Sequence, residues 1–415
     1  MFLFTLFLQV LVTVWIASAS KDGFVSMDFN LLKGKNLQQA FDNLFNSLKI
    51  PSNNNGASEN GNSTDPVKLE NEKLFYVSKV KIGSQKNEVE VLIDTGSSDL
   101  WVMSSENPHC EDNGGKIDCK QYGTFNQNTS STFENNGTSF NITYEDNTYA
   151  RGSWGTDTIS IGDNLELKNA SFAVANDSTS NVGVFGIGFI GLESSEKQYR
   201  NVPQLMKDQG FIKKVAYSLY ITSAESNSGS IIFGGVDHAK YSGDLKSLKI
   251  QPTNDAYKRV QVQLDSIKLD VSSGNSNSSK NNTNVDVNNP AIIDSGTTLT
   301  ALPPKMFEQV AQGVGANISE YSENGLQVPC SLRSQNNYVT FKFQEKDIKA
   351  DLSNFVELSE STGSPTCTLG FLPSQQLILG DNFLRSCYTV INLEDKTASI
   401  AQMKYTDDKD ISVID

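Results

Sequence analysis

The chain has 415 residues, of which 37% are hydrophobic and 20% are charged, and its formal net charge is -14. A chain of this length is too long for one compact core, so two lobes are expected. The composition is ordinary for a soluble globular protein. The negative charge argues against a nucleic-acid partner, because binding phosphate groups requires clustered Lys and Arg.

The N-terminal part of the chain predicts targeting and processing segments. Residues 1–19 form an apolar run that ends in small residues, which indicates a secretory signal peptide, with a membrane anchor as the alternative. Residues 20–65 include an amphipathic stretch, Leu37–Leu48, and a polar run, 52–65, which together predict a removable pro-segment; a permanently attached extension is the alternative. No later stretch is apolar and long enough to span a bilayer, so we expect a secreted, extracellular protein with no stable membrane anchor.

Short alternating strands follow from about Val67 and are separated by Gly, Asn and Ser, which is typical of a mostly antiparallel β protein. Two segments, 202–210 and 304–314, predict helices. The stretch Ser272–Asn289 consists largely of Ser, Asn and Gly, which predicts a flexible loop. The expected folded parts are an N-terminal lobe over 66–245, a C-terminal lobe over 246–405 and a polar tail over 406–415.

One six-residue pattern occurs in both halves of the chain. Its copies are Leu92-Ile93-Asp94-Thr95-Gly96-Ser97 and Ile292-Ile293-Asp294-Ser295-Gly296-Thr297. Each copy is followed, at a similar distance, by two apolar residues and a glycine, in Val184-Phe185-Gly186 and Ile378-Leu379-Gly380. Two pairs of matching segments at similar spacing imply that the two halves of the chain are built alike.

The repeated pattern predicts a pair of catalytic carboxylates, Asp94 and Asp294. Each Asp ends an apolar strand, and the glycine two residues later, Gly96 or Gly296, lets the backbone turn sharply and bring N–H groups to the carboxylate. Two carboxylates held this close share one proton. One of them then serves as general base for a water molecule, and the other serves as general acid.

Hydroxyl side chains flank both carboxylates and are expected to support them. The hydroxyls of Ser97 and Thr297 can hydrogen-bond the outer carboxylate oxygens. Those of Thr95 and Ser295 can reach across to the opposite loop and lock the pair. Such a site requires no metal ion, cofactor or covalent nucleophile.

Other kinds of site have little support in the sequence. The histidines, His109 and His238, lie in no metal-binding pattern and beside no nucleophile motif, and a lone histidine is more often structural than catalytic. Gly186-Ile187-Gly188 lacks the third glycine of a dinucleotide-binding loop. We therefore expect no metal and no cofactor.

The paired motifs resemble those of the pepsin-like aspartic proteases, whose dyad is the standard example of two carboxylates sharing a proton. The resemblance extends from about Val67 to Met403, and the start of the pro-segment and the cysteine positions are most similar to those of the secreted yeast candidapepsins. The segments that carry it are Asp94-Thr95-Gly96-Ser97-Ser98-Asp99-Leu100-Trp101-Val102, Asp294-Ser295-Gly296-Thr297-Thr298, Ile378-Leu379-Gly380-Asp381-Asn382-Phe383-Leu384-Arg385 and Gly23-Phe24-Val25.

The resemblance implies an all-β, bilobed pepsin-like fold with a substrate cleft between two related lobes and a β-hairpin flap above it. The segment Asn141–Asn147 matches the flap, so Tyr144 takes the place of the tyrosine that caps the carboxylates. Trp101 is its expected partner, with simple core packing as the alternative for Trp101. The residues expected to contact substrate are Tyr144, Asp146, Gly96, Gly296, Thr297 and Thr298.

Five cysteines are present, and an even number of them should pair in an oxidising compartment. Cys110 and Cys119 bracket a short polar loop, while Cys330 and Cys367 could close a longer one; spacing alone also allows other pairings. The resemblance implies disulfides Cys110–Cys119 and Cys330–Cys367. Cys387 then remains as a free thiol in a buried strand.

Potential N-glycosylation sites in polar stretches also favour a secreted glycoprotein. They begin at Asn62, Asn128, Asn136, Asn141, Asn169, Asn176, Asn277, Asn281 and Asn317.

Three features depart from the family pattern. Glu145 and Asn147 occupy flap positions where glycine is usual, and Glu145 either tunes selectivity from the cleft roof or points to solvent. Ala301 replaces a candidapepsin tyrosine, which should widen part of the cleft. Candidapepsin pro-segments are normally released at a Lys-Arg pair, but the Lys-Arg pair of this sequence, Lys258-Arg259, lies on an expected strand of the second half. We therefore expect the pro-segment to be removed by acid-triggered self-cleavage within about Ser52–Glu70.

These features together predict a secreted aspartic endopeptidase that hydrolyses peptide bonds in acid. Its expected substrates are peptides or proteins, and a monomer is expected. The alternatives are a pepsin-fold peptide-binding protein with weakened catalysis, and a regulatory protease of narrow specificity. The intact motifs around Asp94 and Asp294 favour the enzyme, whereas the altered flap favours the binding protein.

Overall fold

The computed structural model describes residues 23–32, 75–115, 117–144, 148–162, 165–222, 228–272, 281–322, 325–334, 336–359 and 365–415. The expected signal peptide, the amphipathic stretch 37–48, the polar run 52–65 and the flap-tip residues Glu145, Asp146 and Asn147 lie outside these residues.

Strands dominate the described chain, which confirms the all-β prediction. The first half contains β1 Val25–Leu32, β2 Phe75–Ile82, β3 Asn87–Asp94, β4 Leu100–Met103, β5 Glu134–Thr143, β6 Tyr149–Ile161, β7 Leu165–Ser178, β8 Gly183–Gly186, β9 Ala216–Ile221, β10 Ser228–Phe233, β11 Gly235–Asp237 and β12 Tyr241–Lys249. The second half contains β13 Gln261–Val271, β14 Asn281–Ile293, β15 Thr300–Leu302, β16 Tyr338–Phe343, β17 Lys346–Asp351, β18 Val356–Ser359, β19 Thr366–Leu369, β20 Phe371–Pro373, β21 Ile378–Leu379, β22 Cys387–Asn392, β23 Thr397–Met403 and β24 Ile411–Val413.

Two related sheets form the two lobes, as the bilobed prediction requires. The first lobe contains the run β2-β3-β8-β4-β7-β6-β5, and the second contains β17-β16-β13-β14-β21-β15-β20. Strands from both halves of the chain continue the first sheet as β12-β23-β22-β9-β10-β1 and so connect the lobes. The lobe boundary expected at 245/246 falls within β12, one of these shared strands.

The core of each lobe follows from the alternation of side chains along the strands. In β13, Leu264, Ile267 and Leu269 are buried, whereas Asp265, Lys268 and Asp270 are only partly covered. Ser266 is also buried, at a bulge that shifts the register between Leu264 and Ser266. Leucine and isoleucine side chains each contribute about 1.5–3 kcal/mol when fully buried. This burial fixes the face that β13 turns to the core, because a slip of one residue would expose every one of these side chains.

The α-helices of the described residues are short, and two of them lie where the sequence predicts helices. Helix α1, Val202–Asp208, begins after Asn201, whose side chain accepts a hydrogen bond from the main-chain N–H of Gln204. Helix α2, Pro304–Gly313, buries an apolar face on the second lobe, and helix α3, Asp381–Leu384, follows β21. No helix in the described ranges has the length and apolar character needed to cross a membrane.

The prediction of a flexible loop over residues 272–289 is wrong for residues 281–289. They belong to β14, which pairs with β13 in antiparallel fashion. Val285 and Val287 are buried at alternate positions, and polar side chains occupy the positions between them. Two apolar residues in the correct alternation therefore suffice for a strand when a long partner strand supplies the hydrogen bonds.

Three other segments fold in ways that the sequence did not predict. Strand β1, within the expected pro-segment, lies between β10 and β2 in the sheet that connects the lobes. Strand β24, within the expected polar tail, pairs with β11. The Lys258-Arg259 pair was expected on a strand, but it lies in the irregular segment that precedes β13.

Candidate active site

The two motif aspartates lie at the ends of equivalent strands. Asp94 is the last residue of β3, which pairs in parallel with β8 so that Asp94 is opposite Gly186. Asp294 follows β14, which pairs in parallel with β21 so that Ile293 is opposite Leu379. The apolar-apolar-Gly triplets found in the sequence are therefore the strands that flank the two aspartates.

Each carboxylate is held by its own loop in the same way. The main-chain N–H of Gly96 donates to Asp94 Oδ1 at 2.7 Å, and the Ser97 hydroxyl donates to Asp94 Oδ2. On the other side, the N–H of Gly296 donates to Asp294 Oδ1 at 2.8 Å, and the Thr297 hydroxyl donates to Asp294 Oδ2 at 2.9 Å. These contacts agree with those expected for Ser97 and Thr297.

The two glycines are required by close approach of the two loops. A Cβ built on Gly96 would lie 2.6 Å from the carboxyl carbon of Asp294, and one built on Gly296 would lie 2.4 Å from Oδ1 of Asp94. Real Cβ atoms do not approach other heavy atoms this closely. Each glycine therefore leaves space for the carboxylate of the opposite lobe.

Thr95 and Ser295 cross between the loops, as the sequence predicted. The Thr95 hydroxyl donates to the carbonyl of Ile293 at 3.0 Å, and the Ser295 hydroxyl donates to the carbonyl of Ile93 at 2.8 Å. Both hydroxyls also accept hydrogen bonds from the opposite loop, and both side chains are buried. The relative position of the two carboxylates is thus fixed by buried groups that do not touch the cleft.

The two carboxyl groups lie within hydrogen-bonding range of each other and are nearly buried, with exposures of 8% for Asp94 and 7% for Asp294. Burial raises the pKa of Asp94 well above its ordinary value, and the negative charge of Asp294 adds to that rise. The hydrogen bonds from Ser97 and Gly96 act in the opposite direction but do not offset it. The pair can therefore keep one shared proton above the pH at which an exposed carboxyl is ionised.

A buried polar layer behind the aspartates was not identified from the sequence. Asp381 is buried at the start of α3, and neither of its carboxyl oxygens has a hydrogen-bond partner among the described residues. Burial raises the pKa of Asp381; the Arg385 charge lowers it, and the charges of Asp294 and Asp94 raise it further. Arg385 is also buried and donates from Nε to the Tyr76 hydroxyl at 3.4 Å. The Ile378–Arg385 motif contained this information, but the motif alone did not indicate that these side chains are buried near the dyad.

The flap hairpin is formed by β5 and β6, and Tyr144 lies at its described end. Trp101 Nε1 donates to the Tyr144 hydroxyl at 2.6 Å, which is the expected contact. Trp101 also packs against Phe140 with ring centroids 6.3 Å apart, so it has the packing role as well. Asp146, expected to contact substrate, lies outside the described residues.

Two more predicted positions flank the second aspartate loop. The carbonyl of Thr298 accepts a hydrogen bond from the N–H of Asn382 at 3.2 Å, which connects the loop to α3. Ala301 lies in β15 and is buried in an apolar cluster with Ile292 and Ile378. The position is thus enclosed by apolar side chains of its own lobe, and its effect on the width of the cleft remains a prediction.

The predicted disulfides are confirmed. Cys110 is bonded to Cys119 and Cys330 is bonded to Cys367, whereas Cys387 is a buried free thiol. Burial raises the pKa of the Cys387 thiol to about 12. Among the described residues, no group of three or more His, Cys, Asp or Glu side chains could hold a metal ion.

Two related β lobes with a pair of facing aspartates define an aspartic-protease type of site. A profile of the eukaryotic aspartyl proteases matches residues 75–403. The chain belongs to the eukaryotic aspartyl protease family, which confirms the resemblance seen in the motifs.

Curated relatives include proteins of Candida albicans and Saccharomyces cerevisiae. Secreted aspartic protease 7 of Candida albicans is 41% identical over 367 residues, which cover 82% of this chain and 62% of that protein. Candidapepsin-3 of Candida albicans is 36% identical over 407 residues, which cover 96% of this chain and 94% of that protein. Aspartic proteinase yapsin-3 of Saccharomyces cerevisiae is 37% identical over 392 residues, covering 88% and 75%. The chain thus spans less than two thirds of the length of secreted aspartic protease 7.

Proposed function

We propose that this chain is an aspartic endopeptidase that hydrolyses peptide bonds in acid with Asp94, Asp294 and an activated water molecule. The observation that carries the proposal is the pair of facing, nearly buried carboxyl groups that can hold a single proton. A general base and a general acid are both available in such a pair at the same moment. A binding site would not need this arrangement, because burying two acids without a basic partner is costly.

In the proposed reaction, the ionised carboxylate takes a proton from water as the water oxygen bonds to the substrate carbonyl carbon. The protonated carboxyl group gives its proton to the carbonyl oxygen, which forms a neutral tetrahedral intermediate. The intermediate then returns a proton to the ionised carboxylate, while the amide nitrogen takes the proton of the protonated carboxyl group, and the carbon–nitrogen bond breaks. The pair ends the cycle with one proton, as it began.

The groups around the pair have distinct proposed roles. Ser97 and Thr297 hold the outer oxygens, and Thr95 and Ser295 set the spacing of the loops. Trp101 orients Tyr144, which closes the cleft over the substrate. The main chain near Gly96 and Gly296, the side chains of Thr297 and Thr298, and Asp146 are proposed to contact the peptide.

Export and maturation are part of the same proposal. A signal peptide at 1–19, a pro-segment at 20–65 that is removed by self-cleavage, N-glycosylation and action outside the cell as a monomer together suit an acid protease. The two disulfides fit an oxidising compartment. The name of the relative secreted aspartic protease 7 of Candida albicans supports the same route.

The test is cleavage of a denatured protein at acid pH by purified wild type, Asp94→Asn and Asp294→Asn. Asp347→Asn, at an exposed position of β17, is the matched control. Cleavage by wild type and Asp347→Asn, with none by the two motif variants, is the expected result. If correctly folded wild type binds peptides without cutting them, the alternative of a pepsin-fold binding protein replaces this proposal.

A further inference from the structure

A cluster of polar side chains lies behind the first aspartate loop and has no part in the proposed reaction. Asp99 is only 3% exposed. Its Oδ1 accepts a hydrogen bond from the Tyr199 hydroxyl, and its Oδ2 accepts one from the main-chain N–H of Ser194, both at 2.8 Å. No Lys or Arg forms an ion pair with Asp99 in the part of the chain that the structure describes. A buried carboxylate held only by neutral donors makes its surroundings unfavourable for a second negative charge.

Glu193 places a second carboxyl group beside this one. Its Oε2 accepts the main-chain N–H of Tyr199 at 2.9 Å, whereas its Oε1 is buried and has no hydrogen-bond partner among the described residues. Burial raises the pKa of Glu193 to about 7, and the charge of Asp99 adds to the rise while the Tyr199 N–H opposes it. Glu193 is therefore neutral in acid and becomes charged near neutrality.

The cluster is connected to the flap through a series of aromatic rings. Tyr199 packs on Trp154 with ring centroids 5.1 Å apart, and Trp154 packs on Phe140 at 5.4 Å. Phe140 in turn contacts Trp101, the partner of Tyr144. The segment that carries Glu193 and Tyr199 thus lies behind the side chains that support the flap.

The cluster is also connected to the aspartate loop. Asp99 follows the Asp94 motif by a few residues, and its carbonyl accepts the N–H of Gly186 at 2.9 Å. Gly186 is opposite Asp94 in the β3–β8 pair. A change in how Asp99 holds the 193–199 segment therefore acts on both the dyad loop and the flap support.

We propose that Glu193 is a proton-dependent positioning residue. In its neutral form it packs beside Asp99 and keeps the 193–199 segment against the aromatic support of the flap. In its ionised form it faces the Asp99 carboxylate without a compensating cation, so the segment loosens and the flap loses its support. The protein would thus have a second acid requirement, separate from the shared proton of the dyad.

The charged groups near Glu193 are consistent with this direction. Asp99 and the Tyr199 hydroxyl face it, and burial together with the charge of Asp99 keeps the Tyr199 pKa well above its ordinary value, so Tyr199 remains a neutral donor. The other ionisable side chains on the segment, Glu196 and Lys197, are exposed. Arg200, which follows the segment, is exposed too and forms an ion pair with Asp208 of α1 at 3.0 Å. Since the folded-state pKa of Glu193 is raised, its contribution to stability is complete below the ordinary glutamate pKa and is lost as the pH rises through about 7.

The test compares wild type, Glu193→Gln and the matched control Glu196→Gln, whose side chain is exposed on the same segment. Its kinetic readout, kcat/KM from pH 4 to 8, rests on the proposed protease activity. At pH 5, the kcat/KM of Glu193→Gln should lie within about two-fold of the wild-type value. At pH 7.5, the fraction of its pH 5 kcat/KM that Glu193→Gln keeps should be about three-fold larger than the fraction that wild type keeps. Glu196→Gln should follow the wild-type profile.

A second readout requires no catalysis. In the Asp294→Asn background, the fluorescence of Trp154, which packs on Tyr199, should change with pH with a midpoint near pH 7. Glu193→Gln should abolish this change. A failed protease proposal would leave this readout intact. The inference is overturned if Glu193→Gln keeps the wild-type midpoint and kinetic profile, or if Glu196→Gln shifts them equally.

One more variant keeps the test decisive if Glu193→Gln does not fold. Asp99→Asn removes the neighbouring charge that raises the pKa of Glu193, so the fluorescence midpoint must move to lower pH. A midpoint that does not move contradicts the proposal.

Discussion

Thr95 and Ser295 hold each other in a reciprocal arrangement across the two halves of the chain. The main-chain N–H of Thr95 donates to the Ser295 hydroxyl at 3.2 Å, and the N–H of Ser295 donates to the Thr95 hydroxyl at 3.0 Å. Each hydroxyl in turn donates a hydrogen bond to a carbonyl oxygen of the opposite strand. Every donor in this network is therefore satisfied, so removal of one hydroxyl leaves buried groups without partners.

The first prediction follows from that network. Thr95→Val and Ser295→Ala should each lower the free energy of unfolding by about 1–3 kcal/mol, because an unsatisfied buried N–H retains its desolvation cost. The double variant should lose less than the sum, since both changes break the same network. Urea unfolding of the three variants measures this, with Ser247→Ala on the exposed edge of β12 as control. Fully additive losses would show that the two hydroxyls act independently.

The second prediction concerns pH and the dyad. Because the folded-state pKa of Asp94 is raised, its contribution to stability is complete below the ordinary aspartate pKa and is lost as the pH rises through the folded-state value. Asp94→Asn cannot ionise, so it should gain stability relative to wild type between pH 4 and pH 8. Thermal unfolding at both pH values measures the difference. An unchanged difference would mean that the carboxyl titrates alike in the folded and unfolded states.

The repeated pattern was enough to predict the dyad, because both copies place an Asp after a buried strand and small residues after the Asp. It also predicted the contacts of Ser97 and Thr297, which lie within three residues of their carboxylates. Local sequence determines such contacts. The cross-lobe contacts were predictable only because the two copies implied that the loops face each other.

The buried partners that lie far away in sequence could not be predicted. Asp381 and Arg385 were visible as part of a motif, but their burial depends on how α3 packs against the second aspartate loop. Glu193 looked like one of many acidic residues in a polar segment. The raised pKa of Glu193 comes mainly from burial and, to a smaller extent, from the charge of Asp99, which lies on a different part of the chain. Burial of a polar group is a tertiary property that composition does not reveal.

The third prediction tests the support of the flap. Trp101→Phe keeps an aromatic ring against Phe140 but removes the donor to the Tyr144 hydroxyl. If this hydrogen bond orients Tyr144 during the reaction, kcat/KM should fall by about ten-fold, since one hydrogen bond is worth about 1–1.5 kcal/mol. Tyr144→Phe removes the same bond from the other side and should give a similar fall. The double variant should be no worse than either single variant.

The fourth prediction concerns the free thiol. Cys387 is buried in β22 and the pKa of its thiol is about 12, so almost none of it is thiolate at neutral pH. In the native protein, therefore, no cysteine thiol should react with an aromatic disulfide reagent. One thiol should react in the denatured, unreduced protein, and all five should react in the denatured, reduced protein. Peptide mapping of the alkylated, unreduced protein should place the label on Cys387 alone. Label on Cys330 or Cys367 would contradict the second disulfide, and rapid labelling of native protein would contradict the burial of Cys387.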